Sequence, residues 1–182
     1  MDQAYPLCEK AVGFAKNPNL YGFREWLPAS TPALLRKMID QIGAHEASIW
    51  MVDSEGGQLV TCYNTEELER IIVQPLSSGL VCKAYNEKHP VHHQGVHRYQ
   101  DSSGKVDEQL AQKTQHQISV PFYLCGQLCG ALSVVQLSSD FHSAPRAEVP
   151  WGFQEDAISV VAAAATVIAE GIEAKWKDVE GQ

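Results

Sequence analysis

The segment ISVPFYLCGQLCGALSVVQL, Ile118–Leu137, constrains the fold more than any other part of the chain. Ile118, Val120, Phe122 and Leu124 fall at every second position, so an extended strand puts them on one face. Cys125-Gly126 supplies a two-residue turn, and QLCGALSVVQL returns as a second strand. A lone hairpin does not hold its shape in water, so this one needs further strands and a helix over its apolar face. A long helix from Phe153 to about Trp176 is the obvious cover. Ile158, Val161, Ala165, Ile168 and Ile172 form one apolar stripe along it, and Val160, Ala164, Val167 and Gly171 form a second. So wide an apolar surface calls for two partners. The sheet is one; the N-terminal helices or a second subunit is the other, which makes a homodimer the expected state.

The remaining elements follow the same rules. Ser30 or Thr31 caps a helix with Pro32 in its first turn and Gly43 at its close, and Leu34, Leu35, Met38, Ile39 and Ile42 form its buried stripe. ASIWMVD and QLVTCYN flank the turn Ser54-Glu55-Gly56-Gly57 as a hairpin, with Trp50 facing a helix. IIVQPL, from Ile71, reads as a third strand ended by Pro75. SSGLVCKAYNEKHP reads as a short helix capped by Ser77 or Ser78. Residues 6–16 and Val106–Lys113 are further helical candidates. The expected fold class is α+β: a central antiparallel sheet of five to six strands with helices on both faces. Residues 1–29 form an extension packed on a domain over 30–176, with 177–182 as a tail.

Charge and cysteine usage exclude several functions. The formal net charge is -8 and no basic run exceeds a pair, so neither nucleic acid nor an anionic membrane surface is an expected partner. MDQAYPLCEKAVGF has no apolar core region and is not a signal peptide. The longest apolar run, Ala157–Ala169, has thirteen residues, which is short for a membrane span. Five cysteines without paired spacing fit free thiols in a reducing cytoplasm. The chain ends shortly after the last helix, so any output would act in trans or lie on a longer protein.

Two clusters carry candidate chemistry. HPVHHQGVH, His89–His97, holds four of the seven histidines. In an extended strand His92 and His93 face opposite ways, so the run does not converge as the three or four ligands of a zinc site must. Cys82 lies near the start of the short helix, where amides and dipole can lower a thiol pKa.

Three segments resemble the GAF domain family. SSGLVCKAYNEKHPV looks like its capped short helix and exit into a strand. ISVPFYLCGQLCGALSVVQL looks like its central hairpin, and FQEDAISVVAAAATVIAEGIE like its closing helix. With Ala47–Asn64, the resemblance runs from about residue 30 to 175. It implies a pocket on the face covered by the short helix and the middle loops. Methionine sulfoxide reductases of this fold carry a catalytic cysteine in a similar helix and further cysteines in the following loop, but Glu87–Leu124 contains none. The marks of cyclic-nucleotide and bilin-binding members are missing as well. The expected site gathers Ser78, Gly79 and Leu80 at the helix start, His93 and Tyr99 on the rim, and Gln117, Ser119 and Ser133 on the sheet. The ligand would be small and polar, and an anion would suit the helix start. The expected function is non-enzymatic: ligand sensing reported through terminal-helix packing to a partner protein, with no cofactor and no metal. The alternatives are a thiol-redox enzyme using Cys82 and a metal protein using His89–His97.

Overall fold

The structure is a computed structural model and describes residues 25–53, 57–66, 71–96, 114–137 and 152–180. Six strands and three helices are described. They run in the order α1 (Thr31–Ile42), β1 (Glu46–Asp53), β2 (Gln58–Asn64), β3 (Val73–Pro75), α2 (Leu80–Glu87), β4 (Val91–Gln94), β5 (Thr114–Leu124), β6 (Gln127–Leu137) and α3 (Ala157–Glu180). The helical candidates 6–16 and Val106–Lys113, and the site candidate Tyr99, lie outside the described residues.

The strands form one sheet in the order β3-β2-β1-β6-β5-β4, with every pairing antiparallel. The β5–β6 hairpin is its spine. Its turn places Cys125 at φ 49 and Gly126 at φ 76. Two successive positive φ values give the turn whose twist matches paired strands, and glycine takes the second at no steric cost. Glu173 of α3 accepts a hydrogen bond from the Cys125 amide at 2.5 Å, which ties the turn to the closing helix. Gly130 is small for another reason: a Cβ there would run into the Trp50 carbonyl of β1.

Alternation divides the sheet's two faces. Ile49, Met51, Ile118, Val120, Phe122, Leu132 and Val134 pack with α1 and α3 into the main core. From α3 that core takes Ala157, Val161, Ala164, Ala165, Ile168 and Ile172. By length and composition Ala157–Lys175 could cross a membrane, a longer window than the thirteen-residue run. In the fold it spends these side chains on the sheet. The second stripe of α3 is divided. Ala164 is buried, Gly171 lies so close to Pro28 that a Cβ would strike the ring, and Val167 is 52% exposed. Lys175 extends the clasp by donating to the carbonyls of Glu25 and Leu27.

The expected serine caps fare differently. Ser30 takes the N-cap position of α1, without a side-chain cap bond, and Pro32 lies in the first turn. Gly43 closes the helix in the left-handed region at φ 68. At α2 the cap position falls to Gly79 at φ 93, again without a side-chain bond. The strand expected from Ile71 is confined to Val73–Pro75.

Candidate ligand-binding site

The other face of the sheet is built differently. Val81 and Cys82 of α2 pack on Trp50, Val52, Leu59, Ile72 and Ala131, a second and smaller core. Trp50, Ala131 and Pro121 lie side by side across β1, β6 and β5. Two residues further along, the same register aligns Ser48, Ser133, Ser119 and Val91. Two more bring Glu46, Val135, Gln117 and His93 into line. Directly paired residues share a face, so Ser48, Ser133, Ser119, Gln117, His93 and Glu46 all stand on the α2 side.

The centre of this polar row is buried and bonded. Ser119 is 1% exposed and Ser133 2%, with His93 and Glu46 also buried. The Gln117 Nε2 donates to Ser133 Oγ at 2.9 Å and to Ser119 Oγ at 3.1 Å, and the Ser119 hydroxyl donates to Ser133 Oγ at 3.0 Å. Ser133 Oγ lies 3.5 Å from the Ile118 carbonyl. Trp50 Nε1 donates to Ser48 Oγ at 2.8 Å. Hydroxyls in a sheet centre cost free energy unless bonded, and this network meets that cost internally.

Of the expected residues, the register thus aligns Gln117 with His93 and Ser119 with Ser133 as adjacent cross-strand pairs. Ser78 and Gly79 contact another strand. Gln74 of β3 donates from Nε2 to the Ser78 carbonyl at 2.8 Å, and a Cβ on Gly79 would collide with that same amide. Strand β3 is the sheet edge opposite β4. Glu46 and Ser48 were not among the sequence candidates, although they alternate with Trp50. Strand β1 begins at Glu46, one residue before the run ASIWMVD.

The histidines diverge. His89 is exposed and pairs with Glu87 at 3.0 Å. His93 joins the polar row. His92 points to the α3 side, where its ring meets Phe153 edge-on at 5.7 Å between centroids. Burial, and then His116 nearby, hold the His92 pKa below its ordinary value, and its Nε2 is buried without a hydrogen-bond partner. Among the described residues no three His, Cys, Asp or Glu side chains could hold a metal together. Cys82 faces inward and donates to the Pro75 carbonyl at 3.2 Å, and burial pushes its thiol pKa up to about 12. At that value almost no thiolate exists at neutral pH.

A cleft of about 320 Å³ lies elsewhere, between Leu27, Pro28, Ala29, Pro32, Arg36, Tyr63 and Thr65. It borders α1 and the segment clasped by α3, away from the polar row.

An antiparallel sheet sealed by two helices on one face, with a short helix beside a polar row on the other, defines a small α+β domain. The GAF domain family matches residues 31–173, and the chain belongs to it. No curated protein matches the sequence significantly. Among solved structures, the chain is similar to the GAF domain of a phosphoenolpyruvate-protein phosphotransferase from Coxiella burnetii. The TM-score is 0.62 at 15% identity, covering 98% of this chain and 96% of that one. It is similar to a free methionine-R-sulfoxide reductase from Neisseria meningitidis in complex with its substrate. There the TM-score is 0.61 at 16% identity, with 97% and 90% covered. The GAF domain of a two-component sensor histidine kinase from Bacillus halodurans gives a TM-score of 0.54 at 16% identity, with 82% and 97% covered. At these identities the likeness establishes the fold.

Proposed function

We propose that this GAF domain is a non-enzymatic, cytoplasmic sensor that binds a small polar molecule on the α2 face and reports it through α3. The observation that carries the reading is the polar row Ser48, Ser133, Ser119, Gln117 and His93, with Ser119, Ser133 and His93 buried and Ser48 and Gln117 half-buried, on a sheet whose other face is closed with apolar side chains. Polar groups are costly in such a place, and small-molecule sites use a few of them on mostly apolar walls. The same strands carry α3 on their far side, so a ligand that shifts β5 or β6 acts on the helix that packs there. The outer side of α3 presents Ser159, Ala163, Val167, Glu170 and Ala174, and a second copy of the chain is the partner proposed for it.

A thiol-redox role like that of the reductase neighbours fits less well. Cys82 is buried, bonded to a backbone carbonyl and held as a thiol. The test is a thermal-shift screen of amines, amino acids, nucleotides, oxyanions and carboxylates, paired with light scattering. A hit whose stabilisation disappears in Ser119→Val and Ser133→Val proteins supports the reading. A hit unaffected by both substitutions, or thiol-dependent turnover lost in Cys82→Ser, rejects it.

A further inference from the structure

Resting on the reading of the α2 face as the ligand-binding one, we infer that its ligand presents N–H donors to Gln117: a primary amine, an amidine, a carboxamide or an aminated heterocycle. The inference comes from counting hydrogens. Gln117 Nε2, Ser119 Oγ and Ser133 Oγ form a triangle with edges of 3.1, 2.9 and 3.0 Å. Each edge needs one hydrogen. With the amide nitrogen at the apex, its two hydrogens serve two edges and the Ser119 hydroxyl serves the third. That leaves the Ser133 hydrogen directed to the Ile118 carbonyl. With the amide turned round, its oxygen would accept from both hydroxyls, and the serine–serine edge would set two lone pairs against each other at 3.0 Å. The count fixes the amide nitrogen inward and the amide oxygen outward.

Every donor of the triangle is therefore spent, and the group left over is an acceptor. Gln117 is only half-buried, and among the described residues no hydrogen bond uses its Oε1. On the same row Glu46 adds a buried carboxyl group, acceptor-only when ionised. The feature that favours an anion, the start of α2, sits by contrast against the Gln74 side chain on β3. Strands β2, β1 and β6 separate β3 from Gln117 on β5. At Gln117 a carboxylate or phosphate would meet the outward amide oxygen, in a chain of net charge -8. An amine or amide would meet its complement.

The test uses three probes of one size on the full chain: benzylamine, benzamide and benzoate. Binding is read from ¹⁵N–¹H spectra at the backbone amides of Ser119 and Ser133 and at the Gln117 side-chain amide. Benzylamine and benzamide are expected to shift these resonances and benzoate to leave them. Gln117→Glu puts charge on the outward oxygen and tightens benzylamine about tenfold, while its inward oxygen takes both serine hydrogens and leaves the serine–serine edge without one, at a cost in stability. Gln117→Leu removes the response to both donors, which keeps the test decisive if the glutamate variant does not fold. Benzoate shifting Ser119 and Ser133 while benzylamine does not would overturn the donor assignment and leave the α2-face site standing. No response at these residues to any probe, or a response at Leu27, Arg36 and Thr65 instead, would overturn the site together with the assignment.

Discussion

The two faces of the sheet are made from the same strands by strict alternation, yet they answer different demands. Ile118, Val120 and Phe122 point to α1 and α3 and are essentially sealed from water, and Leu132 and Val134 do the same from β6. Their neighbours in sequence, Gln117, Ser119 and Ser133, point the other way and spend their hydrogen bonds on one another. Neighbours one residue apart thus serve stability on one side and, in the function proposed, recognition on the other. A sheet that only had to fold would be apolar on both covered faces.

The largest expected effect lies on the sealed face. Phe122→Ala removes a ring with no exposed surface from the centre of the core, and denaturant unfolding should show a loss of about 4 kcal/mol. Gly130→Ala tests the spine itself. The added methyl group meets backbone of β1, which cannot rotate away, so a loss of about 2–3 kcal/mol is expected. On the α2 face, Ser133→Ala deprives Gln117 and Ser119 of an acceptor and should cost about 1 kcal/mol while abolishing ligand stabilisation. An effect as large as that of Phe122→Ala would make the row part of the fold's foundation and break the contrast. Val167→Glu should change monomer stability by less than about 0.5 kcal/mol, because the side chain is 52% exposed, yet it should halve the mass seen by light scattering. An unchanged mass would reject the dimer through α3.

The smallest effect concerns pH. The folded pKa of His92 lies below the ordinary 6.5, because of burial first and His116 second. A depressed histidine binds its proton more readily in the unfolded chain. Its contribution is therefore fully present above pH 6.5 and is lost as pH falls from there through the folded value. In His92→Phe protein this part of the slope between about pH 7 and 5 should flatten, as measured by melting temperature. An unchanged slope would place the titration elsewhere.

Much of the fold was legible because alternation and helical spacing are local. The Ile118–Leu137 hairpin, its Cys125-Gly126 turn, the stripes of α1 and α3 and the opposed directions of His92 and His93 all follow from neighbours within a few residues. The polar row was legible only in pieces. Gln117, Ser119, Ser133 and His93 stand out as polar residues in strands, but what aligns them is the register of β4, β5, β6 and β1, which come from distant parts of the chain. Ser48 and Glu46 needed the same register to be noticed. The start of α2 misled for a related reason. A serine pair before an apolar helix reads as a cap and an anion seat, whereas a glutamine from β3 lies against it. No local pattern announces a side chain arriving from another strand.

The most direct measurement is amide hydrogen exchange across the whole chain, with and without the strongest hit of the thermal-shift screen. Ligand should slow exchange in 91–94, 117–121 and 131–135, with a smaller change along α3 and none at Leu27–Thr31 or Thr65. Protection centred on Leu27, Arg36 and Thr65, with the polar row unchanged, would contradict a binding face beneath α2.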